Sequence, residues 1–234
     1  MTKTAAIIAA ANSKGGCGKS TTVLILAGEY ASQGYRVHII DADPKKRLIR
    51  WAQAGSKPAE ITVSDANAAT IREEIEKARK HAEVVLIDVE GTANAALTLA
   101  VAYSNLVIIP ATISPPDVED GIGTLKLIQD MAHASRREIP HGFLWSNVPP
   151  AIRSREMINL EAQIAEAQIP VIGRVFQRSA FAALFSFATT LDHLPPSEVT
   201  GIEKAKSDAI RLTDAIDLMI TGKPKPGSAH EAAA

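Results

Sequence analysis

Along this chain, short and wholly apolar runs alternate with longer segments in which apolar residues recur every three or four positions. The runs fall at Ala5–Ala11, Arg36–Asp41, Val84–Asp88, Leu106–Ala111, Gly142–Asn147 and Val171–Phe176, with a weaker one at Glu60–Val63. They lack the in–out alternation of a half-exposed sheet, so they read as strands covered on both faces. The longer segments read as helices at Lys19–Gln33, Ala68–His81, Val118–Ala134, Glu156–Ala167 and Glu203–Ile220, with a further one at Ala180–Leu191. Strands alternating with helices predict an α/β fold, a doubly wound and mainly parallel sheet flanked by helices. No repeat or linker divides the chain, so residues 1–220 are expected to form one domain. Residues 221–234 carry two prolines, two glycines and a run of small side chains. That segment has no apolar stripe and is expected to be a frayed tail.

Composition narrows the class. The 234 residues are 46% hydrophobic and 22% charged, which supplies a core and excludes disordered and low-complexity chains. A net charge of -1 excludes a uniformly basic nucleic-acid binder but leaves room for a local basic face. The single cysteine, Cys17, excludes an intrachain disulfide and any multi-cysteine zinc or iron–sulfur site built from one chain. Lys3 followed by the apolar run 5–11 has the outline of a very short secretory leader, yet a glycine-rich loop follows that this strand must position. No other run approaches the roughly 18 apolar residues of a membrane span. A soluble protein in a reducing cytoplasm is expected.

The chemistry concentrates after the first strand, in Asn12-Ser13-Lys14-Gly15-Gly16-Cys17-Gly18-Lys19-Ser20-Thr21, which leads into a helical run. Strand, glycine-rich loop and helix is the order a phosphate loop needs. Glycines at 15, 16 and 18 let backbone N–H groups turn toward phosphate oxygens with no Cβ in the way. Lys19 would reach the β- and γ-phosphates, the Ser20 hydroxyl would bind Mg²⁺, and the helix N-terminus favours the anion. Cys17 sits where a thiol pKa tends to fall, so a redox role stands beside the plainer reading of a small filler.

Ser13 occupies the place of the first glycine, and a second lysine, Lys14, opens the loop. This Lys-Gly-Gly-x-Gly-Lys-Ser pattern resembles the deviant Walker A of the ParA/MinD group of ATPases. Other segments match that group in order. Asp41-Ala42-Asp43-Pro44 resembles its Asp-x-Asp-Pro switch, Val84–Asp88 its Walker B strand, and Leu106–Pro110 with Ser114–Glu119 a stretch of plasmid-partition ParA proteins. Arg178–Ala183 resembles the ParA-like Ti-plasmid virulence relative that works beside transferred DNA.

The resemblance implies roles. Lys14 would cross a dimer interface to the phosphates of the other subunit's ATP, and Asp43 would orient the attacking water. Asp41 and Asp88 would hold Mg²⁺ and its water shell; capping and turn formation are the structural alternative for Asp41. Asn147 would correspond to a position that reads adenine. Two departures stand out: Lys45 where partition ATPases often carry glutamine, and Val89-Glu90-Gly91 in place of a proline-rich turn. Glu90 would sit near the γ-phosphate or simply be solvated, the latter being the plainer reading. Nonspecific DNA binding would fall to Arg153, Arg155, Arg174, Arg178, Lys204, Lys206 and Arg211, each of which reads equally as solvated surface.

Relatives of other kinds do not fit. A shared iron–sulfur cluster lacks its cysteines, the tail shows no membrane-inserting helix, and no operator-binding domain precedes the loop. The implied function is an ATP- and Mg²⁺-dependent, dimerising ATPase that binds nucleoid DNA and positions a cargo with a centromere-binding or cargo adaptor. Two alternatives stay open: a metabolic P-loop ligase or small-molecule kinase, and a DNA-recruitment factor that does not hydrolyse ATP.

Overall fold

The computed structural model describes residues 5–90, 95–150 and 154–223. Seven strands form one parallel sheet: β1 Ala6–Ala10, β2 Val37–Ala42, β3 Ile61–Asp65, β4 Val84–Val89, β5 Leu106–Ala111, β6 His141–Val148 and β7 Val171–Phe176. Their order across the sheet is β3-β2-β4-β1-β5-β6-β7. The apolar runs therefore give the expected strands, and the weak run at Glu60–Val63 is the edge strand β3.

Alternate residues serve opposite layers. Ile8, Ala10, Ile39, Leu86 and Ile108 face the layer formed by helices α1 (Lys19–Ser32), α2 (Arg47–Ala54), α7 (Ser179–Ser186) and α8 (Ile202–Thr221). Ile7, Ala9, Ile40, Val85, Ile87 and Val107 face α3 (Ile71–Ala78), α4 (Ala95–Tyr103), α5 (Pro115–Ser135) and α6 (Arg155–Glu166). Both faces being dry explains why the strands show no alternation in sequence. No described helix is long and apolar enough to cross a membrane. The tail expectation falls mainly on residues 224–234, outside the described residues.

Two helices, α2 and α4, are absent from the periodicity reading. α4 is Ala-Ala-Leu-Thr-Leu-Ala-Val-Ala-Tyr, apolar on every side, so no stripe marks it. α2 is eight residues long and buries only Leu48 and Trp51. The segment expected as Ala180–Leu191 instead ends its helix at Ser186 and passes through Ala188, at φ +47, to a short 3₁₀ turn at Leu191–His193. α2 is fastened to that segment: Trp51 Nε1 donates to Leu184 O at 3.0 Å, and Thr189 Oγ1 donates to Ser56 O at 3.3 Å.

His38 is buried on β2, its ring nitrogens 2.7 Å from Thr62 Oγ1 and 2.9 Å from Ser64 Oγ, with His81 Nε2 3.3 Å from Nδ1. Burial first, and His81 second, push its pKa down to about 4, against a smaller opposing pull from Glu74. Below about pH 6.5 the unfolded chain takes a proton that folded His38 refuses. Its contribution is therefore intact above that pH and is lost as pH falls toward 4. Urea titrations of the wild type should show this decline between pH 6.5 and 4, and His38→Gln should flatten it.

A Cβ on Gly55 would lie 2.1 Å from Ala188 O, a backbone atom with no room to give. Gly55→Ala should therefore cost about 3 kcal/mol of unfolding free energy. Exposed Gly123 in α5 meets nothing within 4 Å. Gly123→Ala should add roughly 0.5–1 kcal/mol, so the two urea midpoints move in opposite directions.

Candidate functional site

Parallel pairing places Ala10 beside Asp88, and Asp88 beside Asp41, at the C-terminal edge of the sheet. The chain leaves β1 there and enters the glycine-rich loop. Buried Asn12 anchors the entrance: its Nδ2 donates to Pro110 O at 2.7 Å and its Oδ1 accepts from Lys14 N at 2.9 Å. Ser13 Oγ donates to Asp120 Oδ1 at 2.8 Å, and Ser146 Oγ donates to Cys17 O at 2.6 Å. Gly16 and Gly18 turn the loop at φ +88 and +97, and a Cβ on Gly18 would sit 3.1 Å from Ser146 Cβ. α1 then begins at Lys19 with no side-chain cap, so its leading N–H groups are left for a ligand.

The loop forms one wall of a cavity of about 270 Å³. Gly15, Gly16, Gly18, Lys19, Ser20 and Thr21 line it from this side, and Asp43, Pro44, Lys45, Arg47 and Glu90 from the other. The expected cluster of Lys19, Ser20 and Asp43 is thus brought together. Lys19 is buried and its Nζ donates to Asn12 O at 2.9 Å and to Lys14 O at 2.7 Å. Asp43 Oδ1 accepts from Lys45 N at 2.8 Å. Of the two readings for Glu90, plain solvation does not match its place, because it is half-buried and lines the cavity.

Ser20 Oγ donates to Asp88 Oδ2 at 2.6 Å in the floor of the site. The other oxygen, Asp88 Oδ1, is the only buried side-chain polar atom without a hydrogen-bond partner among the described residues. Burial first pushes the Asp88 carboxyl up to about 7, with Asp41 and Asp43 adding to it and Ser20 and Lys19 opposing. An orphaned carboxylate oxygen beside a serine hydroxyl suits a hard divalent cation, which would supply both the missing contact and the missing charge.

Asp41 serves the backbone. Its Oδ2 accepts from Leu48 N at 2.9 Å and Ile49 N at 3.0 Å, and its Oδ1 from Asp43 N at 3.2 Å. It caps α2 and shapes the turn carrying Asp43, the structural alternative read from sequence. Burial raises its pKa against the lowering effect of these N–H groups. Lys14 is not among the residues lining the cavity; its Nζ lies 3.6 Å from Asp117 Oδ1. Of the two readings for Cys17, its place fits the small filler: it is fully buried, and burial raises its pKa despite Lys19 nearby.

A second cavity, about 170 Å³, lies on the far side of the loop. Thr21, Asn147, Phe176 and Arg178 line it. Most of the basic residues expected on a DNA face are engaged within the chain. Arg174 pairs with Glu161 at 2.6 Å, Lys206 with Asp192 at 2.6 Å, and both Arg178 and Arg211 with buried Asp208. Arg178 is a core ion pair, only 17% exposed, rather than an outward-facing contact. Arg155 and Lys204 are exposed, Arg211 keeps an exposed side chain, and Arg153 lies outside the described residues. Asn12, Asp117 and Ser146 are the contributors that spacing alone did not single out. Asn12 and Ser146 act through backbone contacts that no motif encodes.

A family model described as VirC1 protein matches residues 5–217. Protein ParA of Rhizobium radiobacter is 34% identical over 219 residues, covering 90% of this chain and 99% of that protein. Among solved structures, a plasmid partition protein from Borrelia burgdorferi B31 bound to AMPPNP superposes with a TM-score of 0.68 at 15% identity, over 91% of this chain and 98% of that one. Cobyrinic acid a,c-diamide synthase from Mycobacterium smegmatis with bound ADP and magnesium gives 0.64 at 17% identity, over 95% and 98%. At those identities the likeness is one of fold.

The buried, raised thiol has a chemical signature. Cys17 should react with an aromatic disulfide reagent at least about a hundredfold more slowly in the native protein than in urea, because thiolate and access are both withheld. Labelling kinetics followed by absorbance check it; native labelling as fast as the unfolded chain would contradict the buried loop.

Proposed function

This chain belongs to the VirC1 protein family, and on that footing we propose that it is a ParA-type ATPase. ATP with Mg²⁺ closes it into a head-to-head dimer, the dimer binds DNA without sequence preference, and hydrolysis resets it. The cargo, a plasmid, other DNA or a protein assembly, is engaged through a separate adaptor. The observation that carries this reading is the convergence around one cavity of the phosphate loop, the Ser20–Asp88 pair with its unpartnered oxygen, and Asp43. The ADP and magnesium named with the synthase of the same fold, and the AMPPNP named with the partition protein, support ATP and Mg²⁺ as the ligands.

Water attacks the γ-phosphorus in line. One P–O bond forms, the bond to the β–γ bridging oxygen breaks, and ADP, phosphate and a proton result. Asp43 orients the water, while Lys19 and the loop N–H groups hold the phosphates. Ser20 and Asp88 are the residues that would hold Mg²⁺, which neutralises phosphate charge when bound. Asp41 acts by fixing the turn on which Asp43 stands. Lys14 leaves Asp117 to meet phosphates across the dimer, so the chain is a poor ATPase alone. Arg155, Lys204 and Arg211 are the cations best exposed for phosphate contacts with DNA.

Light scattering with ADP and with ATP, paired with DNA binding across a salt series, tests this reading. Wild type should be monomeric with ADP, dimeric with ATP, and bind DNA only as the dimer, more weakly as salt rises. Asp43→Ala should keep ATP-dependent dimerisation while hydrolysis falls about a hundredfold or more. Lys14→Ala should bind ATP yet stay monomeric. A metabolic enzyme on this fold predicts a monomer indifferent to DNA and to Lys14. A non-hydrolysing recruitment factor predicts that wild type and Asp43→Ala turn over ATP alike.

A further inference from the structure

The cavity wall opposite the phosphate loop carries two cations, Lys45 and Arg47, which the ATPase reading leaves unused. Their placement is built into the chain. Asp43 Oδ1 accepts from Lys45 N at 2.8 Å and Asp43 O accepts from Lys46 N at 2.9 Å, which closes a tight turn. Lys46 takes a left-handed conformation, φ +46, and its side chain runs the other way. There its Nζ donates to Asp41 O at 2.9 Å and Ala66 O at 2.8 Å and pairs with Asp65. Arg50 closes the outer side, donating to Lys45 O at 2.8 Å. Asp41 holds the following residues through Leu48 N and Ile49 N.

The turn's backbone and the Lys46 and Arg50 side chains are thus tied in place, whereas the Lys45 and Arg47 side chains line the cavity. Among the described residues neither the Lys45 ammonium nor the Arg47 guanidinium has an ion-pair or hydrogen-bond partner. Two cations without partners, exposed on a wall whose backbone is held in place, draw an anion to that side of the cavity. The loop N–H groups and Lys19 suffice for the inner phosphates. With the phosphates on that side, the opposite wall, which carries Asp43, is the one left for the end of a triphosphate.

We propose that Lys45 and Arg47 contact the terminal phosphate, so that this chain distinguishes ATP from ADP with cations of its own. The inference rests on the cavity being the ATP site. It adds a specificity determinant on the switch turn, separate from the loop and from the lysine that crosses the dimer.

Calorimetric titration with ADP and with AMPPNP, in Mg²⁺ and at a protein concentration where scattering reports monomer, decides it. For Arg47→Ala the AMPPNP Kd should rise about tenfold while the ADP Kd stays within about threefold, the loss of one charged contact to the terminal group. Lys45→Ala combined with Arg47→Ala should widen the gap, and Arg47→Lys should recover part of it. Equal weakening of both nucleotides overturns the proposal, as does an unchanged ratio. Wild type that binds neither nucleotide overturns the ATP reading itself. Wild type that binds both, with variants whose ratio is unaltered, overturns only the role of Lys45 and Arg47.

Discussion

The lateral pairing of β2, β4 and β1 is the constraint on which the rest of the molecule depends. Ala10, Asp88 and Asp41 lie side by side only because these strands run parallel and in this register. A register slip of one residue on β4 would rotate Asp88 out of the site and an apolar neighbour into it. Parallel strands with dry faces on both sides resist such a slip, since each of Val85, Leu86 and Ile87 already has a layer to fill. The hydrophobic effect that builds the sheet therefore also positions a buried carboxylate whose burial is, by itself, unfavourable. Asp88 is tolerated there because Ser20 satisfies one oxygen and the site's chemistry can use the other.

Asp41 and Asp88 show how the same residue type at the same sheet edge acquires different work. Asp41 spends its oxygens on three backbone N–H groups and so converts the strand end into a capped helix. Asp88 faces a hydroxyl and an unmet contact. Their shared place at the end of an apolar strand made both look alike in sequence. Only the direction in which the chain leaves each strand separates them: β2 turns at once into α2, whereas β4 ends against α1 and the loop.

That difference marks where the sequence was legible. Strands announced themselves because burial on both faces leaves uninterrupted apolar runs, and the phosphate loop because glycine, lysine and serine at fixed spacing serve one geometry. α4 was silent since a helix apolar on all sides has no stripe, and α2 because two buried residues in eight make no period. Cys17 and Glu90 each keep two readings in sequence for one shared reason. Their environment is set by residues distant in sequence, Ser146 and the 43–47 turn, whose approach no local spacing encodes. The basic residues late in the chain were overcounted likewise, as Asp208 neutralises two of them from the buried face of α8.

The switch turn is joined to the rest of the fold more firmly than a surface loop would be. Arg47 begins α2, and one turn later Trp51 is buried with its indole N–H on Leu184 of α7. The helix ends at Gly55, pressed so closely on Ala188 that no side chain fits between them. α7 itself starts beside the second cavity, where Arg178 pairs with buried Asp208 of α8. A displacement of the turn is thus passed along α2, because its buried Trp51 is held to α7 and the residues after its end, Gly55 and Ser56, to the 188–189 segment that follows α7. Close packing transmits such a shift rather than dissipating it. The turn that carries Asp43, Lys45 and Arg47 and the segment that borders the second cavity are consequently joined through one helix, too short to be seen in the sequence.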